Sequence, residues 1–256
     1  MAKQLQYDEL AYYYDTHPTE EDLMGETAVH AALIRYLMEV LSWLFDQQGC
    51  ALHENLNFYH TPYWKELPVA PDIAVVKGVD FDWVRSWRVG KTGPAPHVVL
   101  EIASQETWSK DLAEKPSKYA KMGVEEYFAY DPNERPLLRG GRRLFGWRLD
   151  RVSRSMHPLP LEPDGRLWSR HLESYLVSDR AYLRLYDRVG QLRLTRAEAE
   201  AEARRAETRR ADAERRRADA EAEARRVETR RADAEKQRAD ALAEKLRALG
   251  IDPDQV

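Results

Sequence analysis

Two carboxylates sit where carboxylates are costly. Asp72 lies in Pro71-Asp72-Ile73-Ala74-Val75-Val76 and Glu101 in Val98-Val99-Leu100-Glu101-Ile102-Ala103, short apolar runs of the kind that form buried strands. An ionised carboxylate in a sheet core is strongly disfavoured unless it is paired or binds a metal. A divalent cation held between the two satisfies both at once. Oxygen ligands suit Mg²⁺ or Mn²⁺ and leave positions open for water and a phosphate. Lys115 follows on what reads as a helix, and its ammonium can orient a water or stabilise a pentacovalent phosphorus. Asp72, Glu101 and Lys115 are the minimum parts of a metal-dependent phosphodiester hydrolase.

These residues need elements to position them. From about Thr27 to Gln47 the residues Ala31, Leu33, Ile34, Leu37, Val40, Leu41 and Leu44 recur at helical spacing and predict one long amphipathic core helix. Strands are expected at about 51–60, 70–76, 97–103 and 126–131, with a hairpin-like pair at 137–149 and 155–160. A helix pattern runs from Glu106 to Met122 and closes at Gly123. Pro116 disfavours a helix interior but is tolerated in a first turn, so the helix proper is expected to begin near Glu114 or Lys115, after an irregular turn. Strand, helix and strand make a βαβ-like unit that sets Lys115 near the end of the strand bearing Glu101.

The segment from Lys77 to His97 interleaves Trp83 and Trp87 with Arg85, Arg88 and Lys91. Two readings stay open for it: aromatics that stack on bases beside cations that pair with phosphates, or tryptophans that pack the loop onto the domain while the charges face water.

Composition divides the chain. All seven tryptophans, thirteen tyrosines and five phenylalanines precede Leu194, so a packed core is expected only there. Beyond it the chain carries 16 basic and 16 acidic residues, which leaves 24 and 28 in the first part and accounts for the net charge of −4. Neither part is basic, so any nucleic-acid contact must rest on a local patch. The single Cys50 excludes an intramolecular disulfide and reads as a small buried residue. No apolar run approaches the roughly 18 residues of a membrane span, and the first residues lack the apolar region of a signal peptide, so a cytoplasmic protein without membrane partners is expected.

From about Leu194 to Leu249 the sequence predicts a long helix with an internal repeat. Arg204 to Ala220 and Arg225 to Ala241 match at fourteen of seventeen positions at an offset of 21, three heptads. Two series of small residues recur every seventh position, about 200° apart around a helix, so they do not make one zipper seam. The tail reads as a charged single helix, or as a weak coiled coil that tightens near Leu242, Leu246 and Leu249 and joins a second copy or a protein partner.

Pro71-Asp72, Glu101 and Lys115 resemble the PD-(D/E)XK nuclease superfamily. Val98-Val99-Leu100-Glu101-Ile102-Ala103-Ser104, then Asp111, Lys115, Tyr119, Gly123-Val124-Glu125-Glu126-Tyr127 and Asp131-Pro132 resemble its Uma2 (DUF820) branch more closely. The resemblance runs from about residue 20 to 185. It implies an α/β fold, a restriction-endonuclease-like mixed central sheet flanked by helices, here followed by a long C-terminal helix or weak coiled coil. The superfamily lysine two residues after the Glu is replaced here by Ala103, and the spacing assigns its role to Lys115, ahead of Lys110 and Lys118. The resemblance also implies an acidic residue from the first core helix, for which Glu26 is the candidate third metal ligand beside Asp72 and Glu101. His30 is read as a structural hydrogen-bonder, and Ser104 and Tyr119 as packing or supporting groups. The expected divisions are an arm at 1–19, the nuclease-like domain at 20–193, the charged helix at 194–249 and a disordered end at 250–256. The expected function is Mg²⁺- or Mn²⁺-dependent hydrolysis of DNA. The alternative is a catalytically idle nuclease fold that self-associates or binds a partner through its tail.

Overall fold

The apolar stripe after Thr27 folds as helix α1 (Ala28–Leu44), and Leu33, Ile34, Leu37, Val40 and Leu41 are all buried. Each such side chain contributes about 1.5–3 kcal/mol when fully removed from water. The computed structural model describes residues 28–46, 48–61, 67–79, 83–104, 108–133, 139–179 and 182–248. The expected arm at 1–19 and end at 250–256 lie outside these residues.

The fold is mixed α/β around a six-stranded sheet. Its strands are β1 (Cys50–Glu54), β3 (Ile73–Lys77), β5 (Val98–Ile102), β6 (Glu126–Tyr130), β7 (Leu144–Asp150) and β8 (Ser155–Pro158), side by side in that order. Within this sheet, among the described residues, only β5 and β6 pair in parallel. A parallel pair needs a crossover, which is supplied by α2 (Trp108–Ala113) and α3 (Lys115–Met122).

Both faces of this sheet are covered, which is why its central strands read as unbroken apolar runs. Ile73, Val75, Val98, Leu100 and Ile102 pack into one core with α1. Ala74, Val76 and Val99 pack into the other with Tyr119 and Met122 of α3 and with Tyr127 and Ala129 of β6. A short parallel pair, β2 (Phe58–Tyr59) and β4 (Trp87–Arg88), adds Phe58 and Trp87 to that second core.

Three strands beyond residue 160 were not expected. β9 (Leu167–Ser169), β10 (Ser174–Asp179) and β11 (Tyr182–Tyr186) form an antiparallel sheet in the order β11-β10-β9. Leu167, Leu176, Leu183 and Leu185 turn inward to complete the core on the α1 side.

The crossover departs from expectation in part: a helix begins at Lys115 as expected. The residues before Lys115 are helical rather than an irregular turn, and the break falls at Glu114, with Pro116 in the first turn of α3 where its missing N–H costs nothing. α3 stops at Gly123, whose φ of 88° is open to glycine and whose N–H reaches the carbonyls of Tyr119 and Ala120.

The tail is one helix, α4 (Arg196–Ala248), with no buried residue along its length. The chain divides into two units at this helix, with Arg196 the last residue of the first. No helix among the described residues is long and apolar enough to cross a membrane.

Candidate functional site

Strand alternation decides which way the costly carboxylates face. Leu100 and Ile102 turn toward α1, so Glu101 turns with Val99 toward α3 and the second core. Glu101 is only 2% exposed there. The Tyr119 hydroxyl donates a short hydrogen bond to Oε1, and Lys115 Nζ lies 3.0 Å from Oε2. Lys115 Nζ is also 2.8 Å from Oδ1 of Asp111, four residues earlier and fully buried.

Asp72 immediately precedes β3, which pairs Ile73 with Leu100. Its Oδ2 accepts the Ile102 N–H at 2.6 Å, which ties it to the end of β5. His30 on α1 places Nε2 3.3 Å from the same oxygen and 3.1 Å from the Ile102 carbonyl. Oδ1 of Asp72 accepts no hydrogen bond among the described residues.

The electrostatics follow from crowding. Burial lifts the Glu101 carboxyl from 4.5 to about 8; Lys115 and Tyr119 oppose the rise, and the charges of Asp72 and Asp111 add to it. Burial alone would lower the Lys115 ammonium, but Glu101 and Asp111 outweigh it and hold the group above its ordinary value. Burial likewise raises the Tyr119 phenol well above its usual range, so it donates rather than ionises.

The cluster therefore sets three carboxyl groups against one ammonium. That imbalance, together with the open Oδ1 of Asp72, fits a hard divalent cation bound through one or two carboxylates. Among the described residues no group of three or more His, Cys, Asp or Glu side chains is arranged to hold a metal ion, so Asp72 and Glu101 form a two-residue candidate set. Glu26, the expected third ligand, lies outside the described residues.

Asp72, Glu101 and Lys115 thus meet at one end of the sheet, although Asp72 and Lys115 are 43 positions apart in the sequence. Lys118 is turned away and pairs with Glu114 at 3.5 Å, both about half exposed. Ala103 is buried, and its N–H donates to the Tyr130 carbonyl at 2.7 Å. Sequence reasoning gave Asp111 no role; its spacing of four from Lys115 was the available signal.

Of the two tryptophans in the loop, Trp87 follows the packing reading. Trp87 is buried and donates from Nε1 to the Pro94 carbonyl at 2.9 Å, and a Cβ at Gly93 would run into its ring. Trp83 is 92% exposed.

Residues 4–171 match the family model Uma2, described as "Putative restriction endonuclease". Among solved structures the fold is similar to that of a putative nuclease belonging to DUF820 from Anabaena variabilis ATCC 29413, at 15% identity and a TM-score of 0.41, over 58% of this chain and 76% of that one. No curated protein matches.

Proposed function

Because the chain belongs to the Uma2 family, matched over well more than half its length, we infer that it is a nuclease that hydrolyses phosphodiester bonds in DNA with the help of Mg²⁺ or Mn²⁺. The observation that carries this reading is the convergence of Asp72, Glu101 and Lys115, with Lys115 3.0 Å from Glu101 and the Asp72 charge acting on both.

In this reading Asp72 and Glu101 hold the cation, which when bound offsets charge on a phosphodiester and makes water more acidic. His30 and the Ile102 N–H hold one oxygen of the Asp72 carboxylate at the end of β5. Tyr119 and Lys115 each take one oxygen of Glu101 and so fix the plane of its carboxylate. Lys115 donates a hydrogen bond to an oxygen on which charge develops as the phosphate is attacked, from a pocket already organised for it. The helix at 194–249 is an appendage to the domain at 20–193, through which copies of the chain or a protein partner associate.

The test is calorimetric titration of Mn²⁺ and Mg²⁺ into the full chain and into Asp72→Ala, with plasmid nicking assayed on the same samples. Binding and nicking are expected in the wild type and lost together in the variant. Nicking that survives Asp72→Ala would remove the reading.

A further inference from the structure

Asp111 is wholly buried, carries a carboxylate, and belongs to neither the strand pair nor the candidate ligand set. We propose that Asp111 is a positioning residue, which holds the Lys115 ammonium against Glu101 and fixes the direction of its remaining N–H. This rests on the nuclease reading above for its catalytic consequence, though not for its geometry.

Lysine offers three N–H donors on a flexible four-carbon stem. One is within hydrogen-bond distance of Glu101 Oε2 at 3.0 Å and one of Asp111 Oδ1 at 2.8 Å. The third has no partner among the described residues. A single carboxylate would leave the ammonium free to rotate about one contact and to settle wholly on Glu101. Two carboxylates at separate points leave the third N–H one direction.

Asp111 is itself held in place. The Tyr127 hydroxyl on β6 donates to its main-chain carbonyl at 2.9 Å. The Tyr127 ring packs 4.9 Å from that of Tyr119, whose hydroxyl bonds Glu101. Glu101, Lys115, Asp111, Tyr127 and Tyr119 therefore close a ring of contacts across β5, α2, α3 and β6. A lone salt bridge between Asp111 and Lys115 would serve helix stability without this closure, and would not need Asp111 to be fully buried.

The decisive measurement does not depend on turnover. In proton–nitrogen spectra of the full chain selective for lysine ammonium groups at low temperature, Lys115 is expected as a slowly exchanging signal, assigned by its loss in Lys115→Arg. It is expected to broaden into the pool of mobile lysines in Asp111→Asn. A wild-type Lys115 as mobile as exposed lysines, or an equally ordered one in Asp111→Asn, would overturn the proposal. If Asp111→Asn does not fold, Asp111→Ser and the wild-type spectrum carry the same decision.

On activity, Asp111→Asn is expected to lower kcat for plasmid nicking about 10- to 100-fold while KM and the calorimetric Kd for Mn²⁺ stay within about twofold, as suits a group that orients another. A weakened Mn²⁺ Kd would overturn the proposal by making Asp111 a ligand. Wild-type kcat in Asp111→Asn, with Asp72→Ala and Lys115→Arg inactive, would overturn it while leaving the nuclease reading intact. A wild type that nicks nothing would remove the nuclease reading, and the ammonium spectra would still decide the role of Asp111.

Discussion

Glu101 and Glu126 lie on the paired strands β5 and β6, 2% and 1% exposed, and water is kept from them in opposite ways. Glu126 is fully served. Arg148 donates to its Oε1 at 2.7 and 3.0 Å, the Ser169 hydroxyl to Oε2 at 2.6 Å, and the main-chain N–H groups of Arg170 and His171 at 3.1 and 3.3 Å. Glu101 has a lysine and a tyrosine, and must share the lysine with Asp111. A buried strand carboxylate is therefore not by itself a sign of chemistry. The sign is a carboxylate whose neighbours leave negative charge uncompensated.

Glu126→Ala should accordingly be a stability variant. Breaking a buried pair by removing one partner costs about 3–5 kcal/mol, and here Ser169 and two N–H groups are orphaned as well. The urea midpoint should fall by the corresponding amount, while nicking per folded molecule stays at the wild-type level.

Glu101 predicts a pH dependence of stability. Its carboxyl stands at about 8 in the folded chain against an ordinary value of 4.5, so between those values the folded state holds a proton that the unfolded state has released. Its contribution is complete below 4.5 and is lost as pH rises through 8. Glu101→Gln abolishes this titration. In thermal melts with chelator, Tm of the variant minus Tm of the wild type should increase from pH 5 to pH 8.5; a constant difference would contradict the assignment.

Lys115→Arg keeps the charge and should still lose function. The lysine side chain is 12% exposed between two carboxylates, and a planar guanidinium cannot replace a compact ammonium there. Nicking should fall about 100-fold, the scale seen when one preorganised donor is removed, with the far-ultraviolet circular dichroism unchanged.

Gly146 on β7 stands opposite Phe128. A Cβ there would lie 2.9 Å from the Phe128 ring and from Leu167 Cδ1 of the small sheet. Gly146→Ala should cost about 1–3 kcal/mol by overpacking, read as a lowered urea midpoint.

Much of this arrangement was legible in the sequence because its signals are strong and local. The stripe from Leu33 to Leu41 gave α1, and the runs around Asp72 and Glu101 gave β3 and β5, since strands covered on both faces must be apolar throughout. The small sheet was missed although Tyr182-Leu183-Arg184-Leu185-Tyr186 alternates with period two; β9 is three residues long, too short to show a period. Asp111, one of the residues that carry the Uma2 resemblance, was given no role because propensity and spacing report an exposed helix pair and a buried one in the same way. Only the packing of α2 under Tyr127 separates the two.

The crossover joining β5 to β6 carries a consequence for how the ring around Lys115 is assembled. Glu101, Asp111, Lys115, Tyr119 and Tyr127 all fall between Val98 and Tyr130, so that ring closes through contacts of short sequence separation. Asp72 and His30 must arrive from outside that stretch. Short loops close at low entropic cost and early, distant pairings later. The lysine pocket is thus drawn from one contiguous stretch of chain, and the second carboxylate is added to it from outside that stretch.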